Sequence, residues 1–218
     1  MDHLRQTSNN NIISELIKRS QRGDTGTFEK LVTMYQGRVF GLCLKLTGNR
    51  DDAEDLAQEV FIKAFHSLKG FRLEADFGTW LHRIAVNMYL NIKKKNARAP
   101  YISLDDPIST ETGEISREVA DTGVSGDPLA SLEEVEFRGI VRQALGRLTE
   151  EHRAVLVLRD MEGYSYEEIA RITQCSLGTV KSRINRARQA LRELMGKELM
   201  SSEFGSGIQN PESRIQNK

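Results

Sequence analysis

The chain of 218 residues has few cysteines and no long apolar run, and both shortages exclude classes of protein. Its two cysteines, Cys43 and Cys175, lie far apart in the sequence. We interpret them as reduced thiols of a cytoplasmic protein, with a redox switch as the alternative. No segment approaches the ~18 apolar residues that a membrane span requires, and the polar N-terminus lacks the apolar segment of a signal peptide. The sequence therefore predicts no membrane insertion.

Motifs of catalysis and of metal binding are also absent. The sequence contains no Gly-rich phosphate loop, no HExxH, no GxSxG and no convincing pair of carboxylates. Its four histidines have no ligand spacing with one another or with cysteine, which argues against a zinc site. The sequence therefore predicts a protein that is not an enzyme and has no cofactor.

The formal net charge is zero, but charge is distributed unevenly along the chain. Ten acidic residues and one basic residue, Arg117, occur between Asp105 and Glu136. The flanking segments are basic, so local charge is a better guide to partners than net charge.

Apolar residues recur at helical spacing along most of the chain, which predicts an all-α fold with two helical domains. The first domain, residues 10–98, is a compact bundle; the second, residues 129–197, ends in a helix-turn-helix. The predicted helices are Asn11 to Arg22, a second that starts after Asp24 and runs to Thr47, Asp51 to Leu68, a fourth from Gly78 or Thr79 to Asn96, Leu129 to Leu148, Thr149 to Asp160, Ser165 to Thr173 and a last helix that starts at Ser176.

Two further segments lack periodicity. Residues 99–128 contain prolines, glycines, serines and threonines, which predicts a flexible acidic linker between the domains. Residues 198–218 are polar and contain glycine, and we expect a disordered tail.

The predicted helix-turn-helix carries the strongest single signal. Ser165 and Glu168 have capping-box spacing at the start of its first helix. Ser176 is a suitable N-cap for the second helix, where its hydroxyl can accept from the backbone near Gly178 or Thr179. That helix has an apolar face (Val180, Ile184, Ala187, Leu191, Leu194) and basic residues between (Lys181, Arg183, Arg186, Arg188, Arg192). The layout is typical of a recognition helix in a DNA major groove, with a merely solvated basic face as the alternative.

Three strings, in this order, resemble a known family: DAEDLAQEVFIKAF at Asp52 to Phe65, FGTWLHRIAVN at Phe77 to Asn87, and YSYEEIARITQCSLGTVKSRINRAR at Tyr164 to Arg188. They are similar to bacterial sigma factors of the extracytoplasmic-function (ECF) group, sigma-E-like members of the RNA polymerase sigma-70 family. The resemblance covers residues 10–98 and 130–197. It implies a sigma-2-like bundle and a sigma-4-like helix-turn-helix domain that together direct core RNA polymerase to promoters and promote melting.

The resemblance also implies partners and binding residues. Asp55, Gln58 and Glu59 would contact the clamp helices of the largest polymerase subunit, with a solvated acidic face as the alternative. The flap of the second-largest subunit is a further expected contact. An anti-sigma factor is a partner that the family allows for. In relatives the segment equivalent to the acidic linker passes near the active-site cleft of polymerase.

Two sets of residues would contact promoter DNA. The −10 element would be melted and held by residues on or beside one loop and along the following helix, and the −35 element would be read by the recognition helix. Trp80 is ambiguous: it lies on the apolar stripe with Leu81 and Ile84, which favours core packing, and base stacking is the alternative. The −10 set is Phe71, Arg72, Asp76, Phe77, Thr79, Trp80, Asn87, Lys93 and Lys94; the −35 set is Lys181, Ser182, Asn185 and Arg186, with Thr179, Arg183 and Arg188 on the DNA backbone.

One alternative function stays open on sequence grounds. A stand-alone helix-turn-helix regulator that binds a duplex operator would explain the basic recognition helix. It would leave the first two strings without a role, and it need not bind core polymerase.

Overall fold

The computed structural model describes the backbone of residues 2–98 and 128–205, and the side chains of residues 11–92 and 137–197. Within these ranges all regular structure is helical, which confirms the predicted all-α class. The predicted linker, apart from Pro128, lies outside the described residues. The helices are α1 (Asp2–Gln21), α2 (Thr25–Thr47), α3 (Arg50–Ser67), α4 (Phe77–Arg98), α5 (Pro128–Arg147), α6 (Glu150–Leu156), α7 (Tyr166–Thr173) and α8 (Leu177–Gly205).

Local signals fix the junction between α2 and α3. Gly48 adopts a left-handed conformation (φ 74°) and donates its N–H to the Leu44 carbonyl at 2.9 Å, which ends α2. The Asn49 side chain then accepts from the backbone N–H groups of Asp51 and Asp52 at 2.8 and 3.1 Å. This N-cap starts α3 at once, so the two helices form a tight antiparallel pair.

Helices α1 to α4 enclose the first part of the core. The predicted inward face of α2 is confirmed, since Leu31, Val39, Leu42 and Leu46 are fully buried. Helix α1 is longer than predicted and begins at Asp2 instead of Asn11. The apolar pattern begins only near Ile12, so periodicity could not detect the polar first turns.

Helices α5 to α8 form the second half, which differs from prediction at two places. The predicted continuous helix from Thr149 to Asp160 ends at Leu156 and widens into a π turn over Val157–Met161. This extra residue per turn keeps Val157 and Leu158 both fully buried. Helix α8 extends to Gly205, into the predicted tail; residues 206–218 lie outside the described residues.

The two halves pack against each other. Helix α4 contacts α6 and α7, and α2 contacts α6, so one apolar core extends through both halves. The predicted domain boundaries stay predictions, but helices that precede residues 99–127 (α2 and α4) are in direct contact with helices that follow them (α6 and α7).

The two cysteines lie in different environments, which predicts different reactivity. Burial raises the pKa of the Cys43 thiol to about 12, whereas Cys175 is half-buried with its Sγ 3.0 Å from Thr173 Oγ1. Three pKa units lower the thiolate population about 1000-fold. We expect native Cys175→Ser protein to be almost inert to a thiol reagent at pH 8 and to react fully in urea. Native Cys43→Ser protein should keep one reactive thiol, and equal rates in the two variants would contradict this assignment.

Candidate nucleic-acid interface

The recognition helix α8 is positioned by its cap and by its apolar face. The Thr179 backbone N–H donates to Ser176 Oγ at 3.1 Å, which confirms the predicted N-cap. Val180, Ile184 and Ala187 are buried, and Leu191 and Leu194 pack on the core, which confirms the predicted stripe. The opposite face of the helix therefore points away from the protein.

The preceding helix α7 packs against α8. Its predicted capping box is present: the Glu168 N–H donates to Ser165 Oγ at 3.2 Å, and the Ser165 N–H donates to Glu168 Oε2 at 2.8 Å. These hydrogen bonds lower the pKa of the Glu168 carboxyl. Gln174 then ends α7 in a left-handed conformation (φ 55°), and only three residues, 174–176, separate α7 from α8.

Four predicted base-reading residues share one exposed surface. Lys181, Ser182, Asn185 and Arg186 are all exposed on the first turns of α8. Their spacing of one, four and five residues places them side by side across one helical turn. A cation, an amide and a guanidinium are thus presented together, which is the donor set that reads base edges in a major groove.

Arg183 and Arg188, which are predicted to contact the DNA backbone, form ion pairs with acidic residues of the protein in this conformation. Arg188 donates to both carboxylate oxygens of Asp160 at 3.2 and 2.5 Å, and this contact raises the pKa of Arg188. Arg183 lies 3.5 Å from Glu151. These pairs brace α8 against α6 and the π turn. Of the predicted set, Thr179 is half-buried near the cap.

The loop before α4 combines an exposed edge with a buried aromatic support. Arg72 and Asp76 are exposed, and Asp76 Oδ2 accepts from the Thr79 N–H at 3.0 Å, which caps α4. Phe71 and Phe77 are buried, with ring centroids 5.6 Å apart, so here they support the loop and are not free to stack on a base.

Trp80 completes this aromatic cluster. Its ring centroid lies 4.9 Å from that of Phe71 and 5.4 Å from that of Phe77, and the side chain is half-buried. This placement agrees with the core-packing reading of Trp80. Asn87 lies half-buried farther along α4, and the side chains of Lys93 and Lys94 are outside the described residues.

A third surface lies on α3. Asp55, Gln58 and Glu59 are exposed, and their spacing places them on one face of the helix. Ile62 continues that face and is 51% exposed. The surface is therefore acidic and amide-bearing at one end and apolar at the other, which is a composition that suits protein contact better than DNA contact.

Two sections of the chain match family models. The model described as Sigma-70 region 2 matches residues 31–99, and the model described as Sigma-70, region 4 matches residues 138–191. RNA polymerase sigma-H factor of Pseudomonas aeruginosa is 39% identical over 178 residues, which span 81% of this chain and 90% of that protein. The ECF RNA polymerase sigma-E factor of Escherichia coli is 40% identical over 176 residues, which span 81% of this chain and 90% of that protein.

The chain belongs to the ECF group of the sigma-70 family.

A solved structure supports the fold of this sigma factor. The sigma factor RpoE of Bartonella quintana, solved with the anti-sigma factor NepR, is 24% identical with a TM-score of 0.53. The match covers 78% of this chain and 96% of that chain. In the part of this sigma factor that the structure describes, no helix is long and apolar enough to cross a membrane. The same part contains no cluster of His, Cys, Asp and Glu suited to a metal ion.

One structural requirement of the loop before α4 was missed from the sequence. A Cβ atom at Gly78 would lie 2.9 Å from Asp76 Oδ2 and 3.1 Å from the Tyr35 ring, so a larger residue there would displace the capping carboxylate and press on the buried ring. Nearby Leu73 has a φ of 59°, which non-glycine residues rarely adopt. A glycine two residues after an aspartate, in Asp76-Phe77-Gly78, was the available signal, but the Tyr35 ring comes from a distant part of the sequence.

Proposed function

We propose that this sigma factor joins core RNA polymerase through α3 and reads a two-part promoter, with α8 at the −35 element and the α4 segment at the −10 element. The observation that carries the proposal is that one chain presents two surfaces together. The first is the exposed hydrogen-bond donors of α8, and the second is the loop before α4, which rests on buried aromatic rings. A stand-alone operator-binding regulator would need the first surface only.

In the proposed −10 segment, exposed and buried residues of the loop before α4 have different roles. Arg72, Asp76 and Thr79 form its accessible edge, while Phe71 and Phe77 hold that edge in shape from beneath. A melted strand offers unstacked bases and a phosphate backbone, and an edge with a cation and a polar pocket can bind both. We further propose that Asn87 contacts a base of the melted strand and that Lys93 and Lys94 contact its phosphates.

Each proposed partner is assigned to a particular part of the chain. The α3 surface would meet the clamp helices of the largest subunit, and the second half would meet the flap of the second-largest subunit. The acidic linker, 99–128, would pass near the active-site cleft. An anti-sigma factor is proposed as a regulator because RpoE of Bartonella quintana was solved with one. The protein would act in the cytoplasm, and the chemistry would belong to the polymerase.

Run-off transcription with core polymerase on a library of promoter sequences tests this proposal. We expect specific start sites that require both elements. A chain that binds duplex DNA but supports no start site, and does not bind core polymerase, would instead be an operator-binding regulator.

Two substitutions on α8 should separate base reading from phosphate binding. Arg186→Ala should cost ~1–3 kcal/mol, or about 5- to 150-fold in −35 binding, and should relax specificity at one base pair. Arg192→Ala, farther along the helix, should weaken binding to all sequences alike and reduce its salt dependence by about one counterion. Binding to a panel of −35 duplexes at several salt concentrations measures both effects. A uniform loss in Arg186→Ala would contradict a base-reading role.

A further inference from the structure

We propose that Asp160 and Glu151 limit the sequence-independent DNA affinity of the recognition helix, because they occupy Arg188 and Arg183 and so keep both arginines from DNA phosphates. The basic pattern of α8 predicts that these two arginines contact the DNA backbone, and the proposal assigns them to the protein instead. It rests on the proposed function of α8 at the −35 element.

Arg183 and Arg188 lie beside the apolar stripe of α8, one on each side. Arg183 directly precedes the buried Ile184, and Arg188 directly follows the buried Ala187. At about 100° of rotation per residue, both arginines therefore border the buried face, whereas Arg186 lies on the outward face. Side chains at such border positions can reach acids of the neighbouring helix as well as a phosphate.

Arg188 is held by Asp160 through two hydrogen bonds. Its Nε donates to Asp160 Oδ2 at 3.2 Å, and its Nη2 donates to Asp160 Oδ1 at 2.5 Å. A guanidinium binds a phosphate with the same two-point geometry, so the carboxylate occupies an edge that a phosphate would use. The neighbouring Arg159 is directed elsewhere, since its Nη1 donates to the Tyr164 carbonyl at 2.8 Å. Asp160 is therefore available to Arg188.

Arg183 forms the second pair, which is looser. Its Nη2 lies 3.5 Å from Glu151 Oε2, with 24% of the arginine side chain exposed and 45% of the glutamate side chain. Glu151 belongs to the first turn of α6, and Asp160 belongs to the π turn that follows α6. Because α6 packs against α8, one acid-bearing segment pairs with both border arginines.

The cations on the rest of the α8 surface differ from this pair of arginines. Among the residues that the structure describes, Lys181 and Arg186 are exposed and form no ion pair. Base contacts carry sequence information, whereas phosphate contacts add affinity for every sequence. The fold thus leaves the predicted base-reading cations free and occupies the predicted backbone-contacting ones.

A phosphate that approaches Arg188 meets the carboxylate of Asp160. Both side chains are partly exposed, 45% for Arg188 and 43% for Asp160, so the pair is accessible to DNA. The carboxylate competes for the guanidinium and also repels the phosphate. Low sequence-independent affinity matters because a genome offers about 10⁶–10⁹ competing non-specific sites, which would otherwise retain the chain.

Binding of the full chain to two duplexes tests the proposal. One is the −35 duplex recovered by run-off transcription, and the other is a scrambled duplex of the same length and composition. We expect Arg188→Ala to change both affinities less than about twofold and to leave their salt dependence unchanged. Asp160→Asn should raise both affinities about 3- to 8-fold near 0.1 M salt and steepen the salt dependence by about 0.9, the effect of one phosphate contact.

The double variant Asp160→Asn/Arg188→Ala identifies the cause of that gain. If Asp160 acts by occupying Arg188, the double variant should return to the affinity of Arg188→Ala. Glu151→Gln should show the same dependence on Arg183, with a smaller gain because that pair is longer. Glu193→Gln is the matched control: it removes an acid from α8 that accepts from Gln189 Nε2 at 3.1 Å, and it should raise affinity less than about twofold.

Three results would overturn the proposal. A salt dependence that falls by about one counterion in Arg188→Ala would show that Arg188 contacts a phosphate beside its acid. An equal gain from Asp160→Asn with and without Arg188 would assign the effect to net charge. A loss of −35 affinity in Asp160→Asn, with the scrambled duplex unaffected, would show that the pair only braces α8.

The same titrations separate this inference from the proposed function. If the unsubstituted chain prefers neither duplex while the gain in Asp160→Asn still requires Arg188, the −35 role fails and the occupation of Arg188 stands. If the preference for the −35 duplex is present but the gain does not require Arg188, the proposed function stands and the inference fails.

Discussion

The double substitution Asp55→Lys/Glu59→Lys is expected to lower the affinity of the chain for core RNA polymerase by about 100-fold or more. Both carboxylates are exposed on one face of α3, and neither forms an ion pair there that the structure shows. Close charge pairs at protein interfaces have coupling energies of about 1.5–7 kcal/mol, and reversal replaces attraction with repulsion. Fluorescence anisotropy of labelled protein titrated with core polymerase measures the loss.

A matched variant separates this effect from general electrostatics. Glu29→Lys makes one such charge reversal at an exposed position of a different helix, α2, and should change polymerase affinity less than about threefold. Thermal unfolding of all variants should be unchanged, because exposed charges contribute little to stability. Equal losses in Glu29→Lys and in the double variant would assign the effect to net charge and not to a docking surface.

The elements that sequence alone predicted well are those with local causes. The capping box of Ser165 and Glu168 and the N-cap at Ser176 each act across three residues, so their signatures are contiguous in the chain. The buried face of α8 follows directly from helical periodicity. The exposure of Lys181 and Arg186 then follows, since residues between the apolar positions must face solvent.

The elements that were missed depend on distant residues. The π turn at Val157 arises because consecutive apolar residues all enter a core shaped by other helices. The pairing of Arg188 with Asp160 joins positions 28 residues apart, so sequence could suggest a DNA contact but not a competing partner. The burial of Phe71 and Phe77 likewise depends on Trp80 and Tyr35. Periodicity identifies which faces are apolar, but tertiary packing decides which aromatic residues remain accessible.

The contact between the halves is the clearest example of this limit. An acidic segment without periodicity predicts separable domains, and nothing in the sequence marks Arg153 as different from the exposed arginines around it. Its partners include carbonyls 106 and 107 residues away, and every residue type has a carbonyl. A hydrogen bond to a main-chain carbonyl therefore cannot be predicted from composition, charge pattern or residue spacing.

Arg153→Met is expected to lower the free energy of unfolding by about 3–5 kcal/mol. The substitution keeps the length and apolar stem of the side chain but removes every donor. The carbonyls of Leu46, Leu145 and Gly146 would lose hydrogen bonds in surroundings where Arg153 itself is only 8% exposed. Each buried acceptor left unsatisfied costs ~1–3 kcal/mol. The stability of Arg153→Lys should lie between that of the unsubstituted protein and that of Arg153→Met, because an ammonium group cannot reproduce the planar guanidinium that reaches both helix ends.

Urea unfolding followed by circular dichroism at pH 7 measures these differences, with the slope of the transition reporting any change in exposed surface. Arg171→Met provides the control, since this arginine is exposed on α7 and its loss should change stability by less than about 0.5 kcal/mol. A loss below about 1 kcal/mol in Arg153→Met would show that water replaces the guanidinium at both helix ends. In that case the halves would be held by apolar packing and by the two remaining polar contacts between them, Lys45 with Glu162 and His82 with Tyr164.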